Sequence, residues 1–195
     1  MASAFNRTLV VDTDVASFYI FHPEDLAHRK TSPTGWPGYH FACQPEFEAG
    51  RLIAFDTGSD GTYKIRLTNE SLTAREQEWL AHSGNFRLSV TRGRVYFDNG
   101  NSLPSDRYRD ETEDYPDQWL QLENGNYKVT VNAIEWDSEP GAVDEEGEVA
   151  ADSLPCYVVQ FAKVDDLLGS TDNQTGPASS AASQTNPAKL AAFFS

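Results

Sequence analysis

The chain has 195 residues, of which 39% are hydrophobic and 12% aromatic, and it carries a formal net charge of −15. This composition supplies enough apolar surface for one sizeable core and excludes a disordered chain. No stretch approaches the roughly 18 apolar residues that a membrane-spanning helix needs, and the first residues lack the basic start and apolar run of a secretion signal. We therefore expect a cytoplasmic protein, in a bacterial or viral cytosol, with no membrane partner.

Period-two alternation of apolar and polar side chains predicts eight or nine short strands. In the segment Tyr63-Lys64-Ile65-Arg66-Leu67, for example, the apolar residues share one face and the cations share the other. The predicted strands lie near residues 9–11, 18–21, 51–55, 62–67, 85–90, 95–97, 119–122, 127–136 and 155–161. This pattern is typical of a mostly β fold, either an antiparallel β-sandwich or an open, jelly-roll-like barrel.

Tight turns predict that several consecutive strands form hairpins. The two clearest turns contain Asp60-Gly61 and Asn124-Gly125, where glycine supplies the positive φ that a short β-turn needs. Segment 91–94 predicts a further turn, whereas the proline-rich segment 23–46 predicts a long irregular loop with one helical turn near residues 24–28.

One short helix is predicted, starting at Thr73. Thr73-Ala74-Arg75-Glu76 matches the capping box, in which the threonine and glutamate side chains accept hydrogen bonds from each other's backbone N–H groups. Ser83-Gly84 is expected to end the helix after about ten residues. A helix of this length is unstable alone and must pack against the sheet.

A change in composition after residue 166 divides the chain into two predicted parts. Residues 1–166 are expected to form the β-sandwich domain, and residues 167–195 a flexible polar tail. The tail ends in an apolar patch that contains Leu190, Phe193 and Phe194. Such a patch either frays in solvent or contacts a neighbouring subunit.

The sequence contains none of the common catalytic patterns, and no catalytic residue, metal ligand or cofactor is predicted. The segment Asp56 to Gly61 begins like a calcium loop, but Leu67 stands where a bidentate glutamate is required. His40 and Cys43 are three residues apart without the second cysteine pair of a zinc site. Cys43 and Cys156 are expected to be buried free thiols.

Two further groups of residues have weak functional alternatives. Asp12 and Asp14 share one face of a strand, where they either share a cation or a proton or discourage aggregation at a sheet edge. Three arginines near residues 87–94 and the rings of Tyr96 and Phe97 suggest a small stacking surface. Because the net charge is −15, binding to nucleic acid is not expected.

The negative charge is concentrated in one part of the sequence. Fourteen acidic residues and one base lie between Asp110 and Asp152, so the rest of the chain has a net charge of only −2. Such a region either keeps the protein soluble or attracts a basic partner. The predicted partner-binding residues of the two acidic loops are Asp110, Glu111, Glu113, Asp114, Asp117, Asp137, Glu139, Asp144, Glu145, Glu146 and Glu148.

The order of four motifs resembles an uncharacterised family of small bacterial β-rich proteins. The motifs are Asp12-Thr13-Asp14, Asp60-Gly61-Thr62-Tyr63, Gly93-Arg94-Val95-Tyr96 and the segment from Leu122 to Val129. The resemblance spans roughly residues 9–164 and carries no catalytic residue, although the long acidic loops depart from the compactness of that family. The late hairpin also resembles one in competence-associated nuclease inhibitors.

Three functional hypotheses follow from the sequence. The first is a non-enzymatic binding protein of the inhibitor or immunity type, whose acidic loops 110–117 and 137–152 engage a basic protein. The alternative is a structural subunit of a virion or other assembly, which forms oligomers through its C-terminal tail. An enzyme with an unrecognised site is the third and least favoured interpretation.

Overall fold

The computed structural model describes residues 4–31, 40–100, 102–104 and 112–166. Within these ranges the chain forms nine strands and two α-helices. The strands are β1 (Asn6–Thr13), β2 (Ser17–Phe21), β3 (Leu52–Asp56), β4 (Gly61–Thr68), β5 (Leu80–Val90), β6 (Arg94–Asp98), β7 (Trp119–Gln121), β8 (Gly125–Ile134) and β9 (Tyr157–Val164). The α-helices are α1 (His40–Glu48) and α2 (Ala74–Glu78), and short 3-10 helices span Pro23–Arg29, Pro116–Gln118 and Trp136–Ser138.

The strands form two sheets, which confirms the predicted mostly β fold and selects the sandwich rather than the barrel. The five-stranded sheet has the order β1-β4-β9-β8-β5, and the four-stranded sheet has the order β3-β2-β6-β7. Every pairing is antiparallel except that of β4 with β9, which is parallel. The sheet order therefore departs from a simple succession of hairpins.

The short turns connect the two sheets, and the long excursions connect neighbouring strands of one sheet. The turn with Asp60-Gly61 joins β3 to β4, and the turn with Asn124-Gly125 joins β7 to β8, so each leads from one sheet to the other. Both predicted hairpins are therefore wrong as pairings, although the strands themselves are confirmed. Three long connections, which we call excursions, join strands that are neighbours in one sheet. They are residues 22–51 between β2 and β3, residues 99–118 between β6 and β7, and residues 135–156 between β8 and β9.

The main core lies between the sheets and contains the apolar residues that alternation assigned to strand interiors. Tyr63, Ile65 and Leu67 of β4 are at most 3% exposed, and the four-stranded sheet contributes residues such as Phe18 and Phe97. Burial of these aromatic and branched side chains is the main favourable term for a fold of this kind. The sequence pattern thus identified the inward faces correctly.

A second apolar cluster covers the outer face of the four-stranded sheet. Leu26 of the first 3-10 helix and Phe47 of α1 pack with Leu52 and Tyr96. The helical turn predicted near residues 24–28 is confirmed, but the prediction of an otherwise irregular loop is wrong because α1 lies in this segment. The four-stranded sheet is consequently buried on both faces.

Helix α2 packs on the outer face of the five-stranded sheet. The capping box of Thr73 and Glu76 is present, as predicted, but the helix has only five residues and the chain continues as β5 from Leu80. Arg66 of β4 donates to both carboxylate oxygens of Glu76, at 2.7 and 2.6 Å, and both side chains are buried. A bidentate pair fixes the position of this short helix, because either charge alone would be buried without a partner. None of the helices in the described ranges has the length and apolar character that crossing a membrane requires.

Candidate functional site

Excursion 135–156 is held to the sandwich by buried side chains and by its ends. Trp136, Ala142 and Leu154 belong to the main core, with at most 5% exposure. The N–H of Ile134 donates to the carbonyl of Cys156, at 3.0 Å, which closes the base of the excursion. An acidic segment that starts and ends on the core in this way is fixed relative to the sheets.

The most acidic part of this excursion is a small turn, which we call the acidic hairpin (residues 142–150). Val143 and Val149 form an antiparallel bridge, and both pack against the main core. Oδ1 of Asp144 accepts hydrogen bonds from the N–H groups of Glu146, at 2.9 Å, and Glu148, at 2.8 Å. Asp144 is therefore a turn-forming residue, because its carboxylate satisfies the backbone of the hairpin.

The acidic hairpin directs three carboxylates into solvent. Glu145, Glu146 and Glu148 are exposed, and no base in the described ranges forms an ion pair with them. Ordered like charges on one short turn repel each other, and a cationic surface relieves this repulsion. Of the residues predicted to bind a partner, these three are exposed and take part in no ion pair within the described ranges.

Other predicted residues of excursion 135–156 are less exposed. Glu139 has a side-chain exposure of 12%, and its Oε2 accepts from Nη2 of Arg75 in α2, at 2.6 Å. This hydrogen bond raises the pKa of Arg75, and the same guanidinium donates to the carbonyl of Asp152, at 3.0 Å. Asp137 is half-buried. Glu139 therefore ties the excursion to α2 within the fold.

The second predicted acidic loop is described from residue 112 onward, and Asp110 and Glu111 lie outside the described residues. Glu113, Asp114 and Asp117 are exposed. The Arg7 guanidinium of β1 donates to the carbonyl of Trp119, at 3.0 Å, and pairs with the Asp117 carboxylate, at 3.4 Å. Because Asp117 is 96% exposed, this ion pair leaves most of its carboxylate in solvent.

Both acidic excursions start at the same end of the sandwich. Excursion 99–118 leaves β6 after Asp98, which lies opposite Tyr19 near the start of β2. Excursion 135–156 leaves β8 and returns to β9 at the end of the five-stranded sheet where β4 begins. The two excursions therefore leave their sheets at the same end, although Arg7 at the start of β1 holds Asp117 beside the opposite end of that strand.

Four arginines of the described ranges pair with carboxylates outside the acidic excursions, whereas Arg7 and Arg75 pair with Asp117 and Glu139 inside them; the four are Arg29, Arg51, Arg66 and Arg92. Glu46 accepts from Arg51, at 2.6 Å, and from His28, at 2.9 Å, and Arg92 pairs with Glu24 and Asp25. These pairs lie away from the acidic hairpin in the sequence and in the sheets. Within the described ranges, none of the ion pairs involves Glu145, Glu146 or Glu148.

The weaker sequence candidates do not form reactive sites. Cys43 and Cys156 are buried free thiols, as predicted, and burial raises the pKa of Cys156 to about 12, which disfavours the reactive thiolate. No group of metal-ligating side chains occurs in the part of the chain that the structure describes. The Tyr96 and Phe97 rings are at most 1% exposed, so the proposed stacking surface is wrong.

Two exposed apolar residues near the acidic loops were not predicted from the sequence. Tyr115 is 54% exposed between Asp114 and Pro116, and Val10 of β1 is 42% exposed. The position of Tyr115 between Asp114 and Pro116 does not predict its exposure, because Trp136 also lies between two acids and is nevertheless buried. The exposure of Val10 is not predicted either, since the alternation of β1 does not reveal that it is an edge strand.

The described residues form a β-sandwich that carries exposed carboxylates on two of its long connections. The chain belongs to a family of unknown function, DUF6386, whose model matches residues 5–140. The predicted resemblance to an uncharacterised family is thereby confirmed. The match ends before the acidic hairpin, so the hairpin lies outside the part that the family model covers.

Two solved structures are similar to this fold, and no curated protein matches the chain. The first, described as crocagin biosynthetic gene J, has a TM-score of 0.53 and 16% sequence identity, over 82% of this chain and 97% of its own. The second is ComJ from Bacillus subtilis, described as an inhibitor of the DNA degrading activity of NucA, with a TM-score of 0.47 and 13% identity over 84% of this chain and all of its own. At these identities the first similarity shows the fold alone, and the second falls below the level that supports an argument.

Proposed function

We propose that this protein is a non-enzymatic, cytoplasmic binding module of the inhibitor or immunity type, which engages a basic protein through its acidic excursions. The observation that carries the proposal is the acidic hairpin, which presents Glu145, Glu146 and Glu148 without bound bases on an ordered turn. Preformed charge of one sign accelerates encounter with a partner of the opposite sign and gives specificity more than affinity.

The proposal also includes the exposed carboxylates Glu113, Asp114 and Asp117, and Asp110 and Glu111 remain part of it from the sequence. At physiological ionic strength the Debye length is about 8 Å, so charges on one end of the sandwich act together only over short distances. The two excursions are therefore expected to steer the partner at close range. Glu139 is expected to contribute through the position of the excursion, because Arg75 already neutralises it.

The proposal is tested by the association kinetics of a basic partner recovered from the native host. Replacing Glu145, Glu146 and Glu148 together by glutamine should lower the association rate constant about threefold to tenfold in 50 mM salt, with little change in the dissociation rate. The control replaces three exposed acids elsewhere, with Glu48→Gln, Glu78→Gln and Asp165→Asn. Equal rates and equal salt dependence for the two triple variants would falsify the proposal.

The alternative proposal is a subunit of a larger assembly that contacts its neighbour through Leu190, Phe193 and Phe194. These residues lie outside the described residues, so this proposal has only the sequence pattern as its support. Deletion of residues 167–195 should then abolish oligomers in sedimentation velocity while the near-ultraviolet circular dichroism of the domain is retained. Oligomers that persist after the deletion exclude this role for the tail.

A further inference from the structure

Strand β1 is an edge strand whose outer side is open within the described ranges. All eight of its residues pair with β4, and no backbone–backbone hydrogen bond from any other described strand or loop reaches residues 6–13. An open edge carries a row of unpaired N–H and C=O groups, which is the template on which another extended segment can add. Such an edge is normally protected unless pairing is its purpose.

The other sheet edges are blocked in ways that β1 is not. Strand β5 has a β-bulge between Leu80 and His82, and its Ser89 N–H donates to the carbonyl of Gly50, at 2.7 Å. The edge strands of the four-stranded sheet are short, with five residues in β3 and three in β7. In contrast, β1 is regular over its whole length and contains no proline or lysine.

The surface around β1 combines apolar side chains with carboxylates. Val10 is 42% exposed, and Val15, which follows the strand, is 52% exposed. The Arg7 bonds to Asp117 and to the Trp119 carbonyl bring segment 112–118, with the exposed ring of Tyr115, close to this strand. Three of the four large hydrophobic side chains that are exposed in the described ranges therefore lie on or beside the β1 edge.

The charged residues around β1 indicate which kind of extended segment can pair with this strand. Asp12 and Asp14 are exposed at one end of β1, and Asp117 is exposed beside the other end. On the outer face, Thr8, Val10 and Asp12 alternate with buried residues, so an added strand presents every second side chain to this row. An apolar side chain suits Val10, and a cation suits the carboxylates beside it.

We propose that an extended segment of the basic partner, in which lysine or arginine alternates with apolar residues, adds to β1 as a sixth strand. This inference rests on the proposed function, and it specifies where the partner docks and in which conformation. Main-chain hydrogen bonds to β1 supply affinity, and the side chains of the segment meet Val10 and the flanking carboxylates. The acidic hairpin steers the encounter, whereas β1 holds the bound partner.

The test uses the full chain and an acetylated, amidated octapeptide of alternating lysine and valine as the probe. In 50 mM salt the peptide should slow hydrogen exchange at least tenfold at alternate amides of residues 6–13, measured by nuclear magnetic resonance. The matching peptide of alternating glutamate and valine should not bind. Protection that appears only on β5 or only on the acidic hairpin, or the absence of any binding of the lysine peptide, overturns the inference.

A matched pair of variants separates the β1 edge from a general effect of charge. Val10→Lys should weaken the lysine peptide at least tenfold, because it places a cation beside the cationic strand, whereas Leu80→Lys on the opposite edge should change affinity less than twofold. Both residues are exposed, so neither substitution disturbs the core. Equal weakening by the two variants contradicts docking on β1.

Backbone-blocked peptides test whether the probe binds as a strand. N-methylation of alternate residues along one edge of the octapeptide should abolish binding, while methylation along the other edge should leave affinity within threefold. If both methylated peptides bind equally well, strand addition is wrong. In that case the kinetic test of the acidic hairpin still decides the proposed function, because its substitutions leave β1 unchanged.

Discussion

Excursion 22–51 and excursion 135–156 each connect two strands that pair within one sheet. They differ in where their apolar residues are buried and in what they leave exposed. The first places Leu26, Cys43 and Phe47 on the outer face of the four-stranded sheet and becomes an additional layer of the fold. The second contributes a few anchors, among them Trp136 and Leu154, to the main core and leaves Glu145, Glu146 and Glu148 in solvent. The comparison teaches that a long connection becomes structural when its apolar residues can cover a sheet face, and otherwise remains available for binding.

The largest expected effect comes from removing the main anchor of the structural excursion. Phe47→Ala should lower the free energy of unfolding by about 3–5 kcal/mol, because Phe47 is 4% exposed and the vacated space cannot close fully. The matched change in the acidic hairpin, Val143→Ala, should lower it by only about 1 kcal/mol, since Val143 is partly buried. Urea unfolding at pH 7 measures both values, and similar losses for the two variants would break the comparison.

A pH-dependent effect of intermediate size is expected at the start of the third excursion, 99–118. Burial raises the pKa of Asp98 to about 6, although the N–H groups of Gly100 and Ser102 donate to its carboxylate and oppose the shift. The folded protein therefore takes up a proton near pH 6, whereas the unfolded chain does so only near the ordinary value of 3.8. The contribution of Asp98 to the free energy of unfolding therefore increases as the pH falls from about 7 to about 4.

Comparison with Asp98→Asn isolates this contribution. The free energy of unfolding of the wild type should gain up to about 3 kcal/mol relative to the variant between pH 7 and pH 4. The same carboxyl-to-amide change at the exposed turn residue Asp60 provides the control for the loss of one acid. A constant difference between wild type and Asp98→Asn over this range contradicts the assignment.

A smaller effect is expected from the turn of the acidic hairpin. Asp144→Ala removes the acceptor for the Glu146 and Glu148 N–H groups and should lower the free energy of unfolding by about 1 kcal/mol. Hydrogen exchange at these two amides should accelerate, while exchange in β8 should be unchanged. Asp144→Asn retains a side-chain oxygen and should restore most of the protection; if it does not, the hydrogen bonds are not the cause.

The smallest effect on stability is expected from the glutamates of the acidic hairpin. Replacing Glu145, Glu146 and Glu148 by glutamine should change the free energy of unfolding by less than about 0.5 kcal/mol, and in the stabilising direction, because like charges are removed from one turn. Urea unfolding at low salt measures this. A substantial loss of stability would show that these glutamates serve the fold and would weaken their role in binding.

Part of the candidate site follows from the sequence alone. The run Asp144-Glu145-Glu146-Gly147-Glu148 has no apolar residue to bury, so its exposure is a consequence of composition. The different roles of Asp144 and Glu139 cannot be predicted from the sequence alone. Asp144 depends on hydrogen bonds within the turn, whereas Glu139 depends on Arg75, which is 64 residues from it in the sequence. The open edge of β1 depends on the strand order of the whole sheet.

The sequence by itself determined the strands and their inward faces, because alternation along a strand is a local property that burial of one face selects. It also determined the capping box at Thr73, which needs only four consecutive residues. Tertiary structure alone decided that the short turns cross between sheets, since an alternating strand fits either sheet equally well until its distant partners are present. It likewise decided α1, because Phe47 has an apolar surface to cover only after Leu52 and Tyr96 have been brought together in the four-stranded sheet.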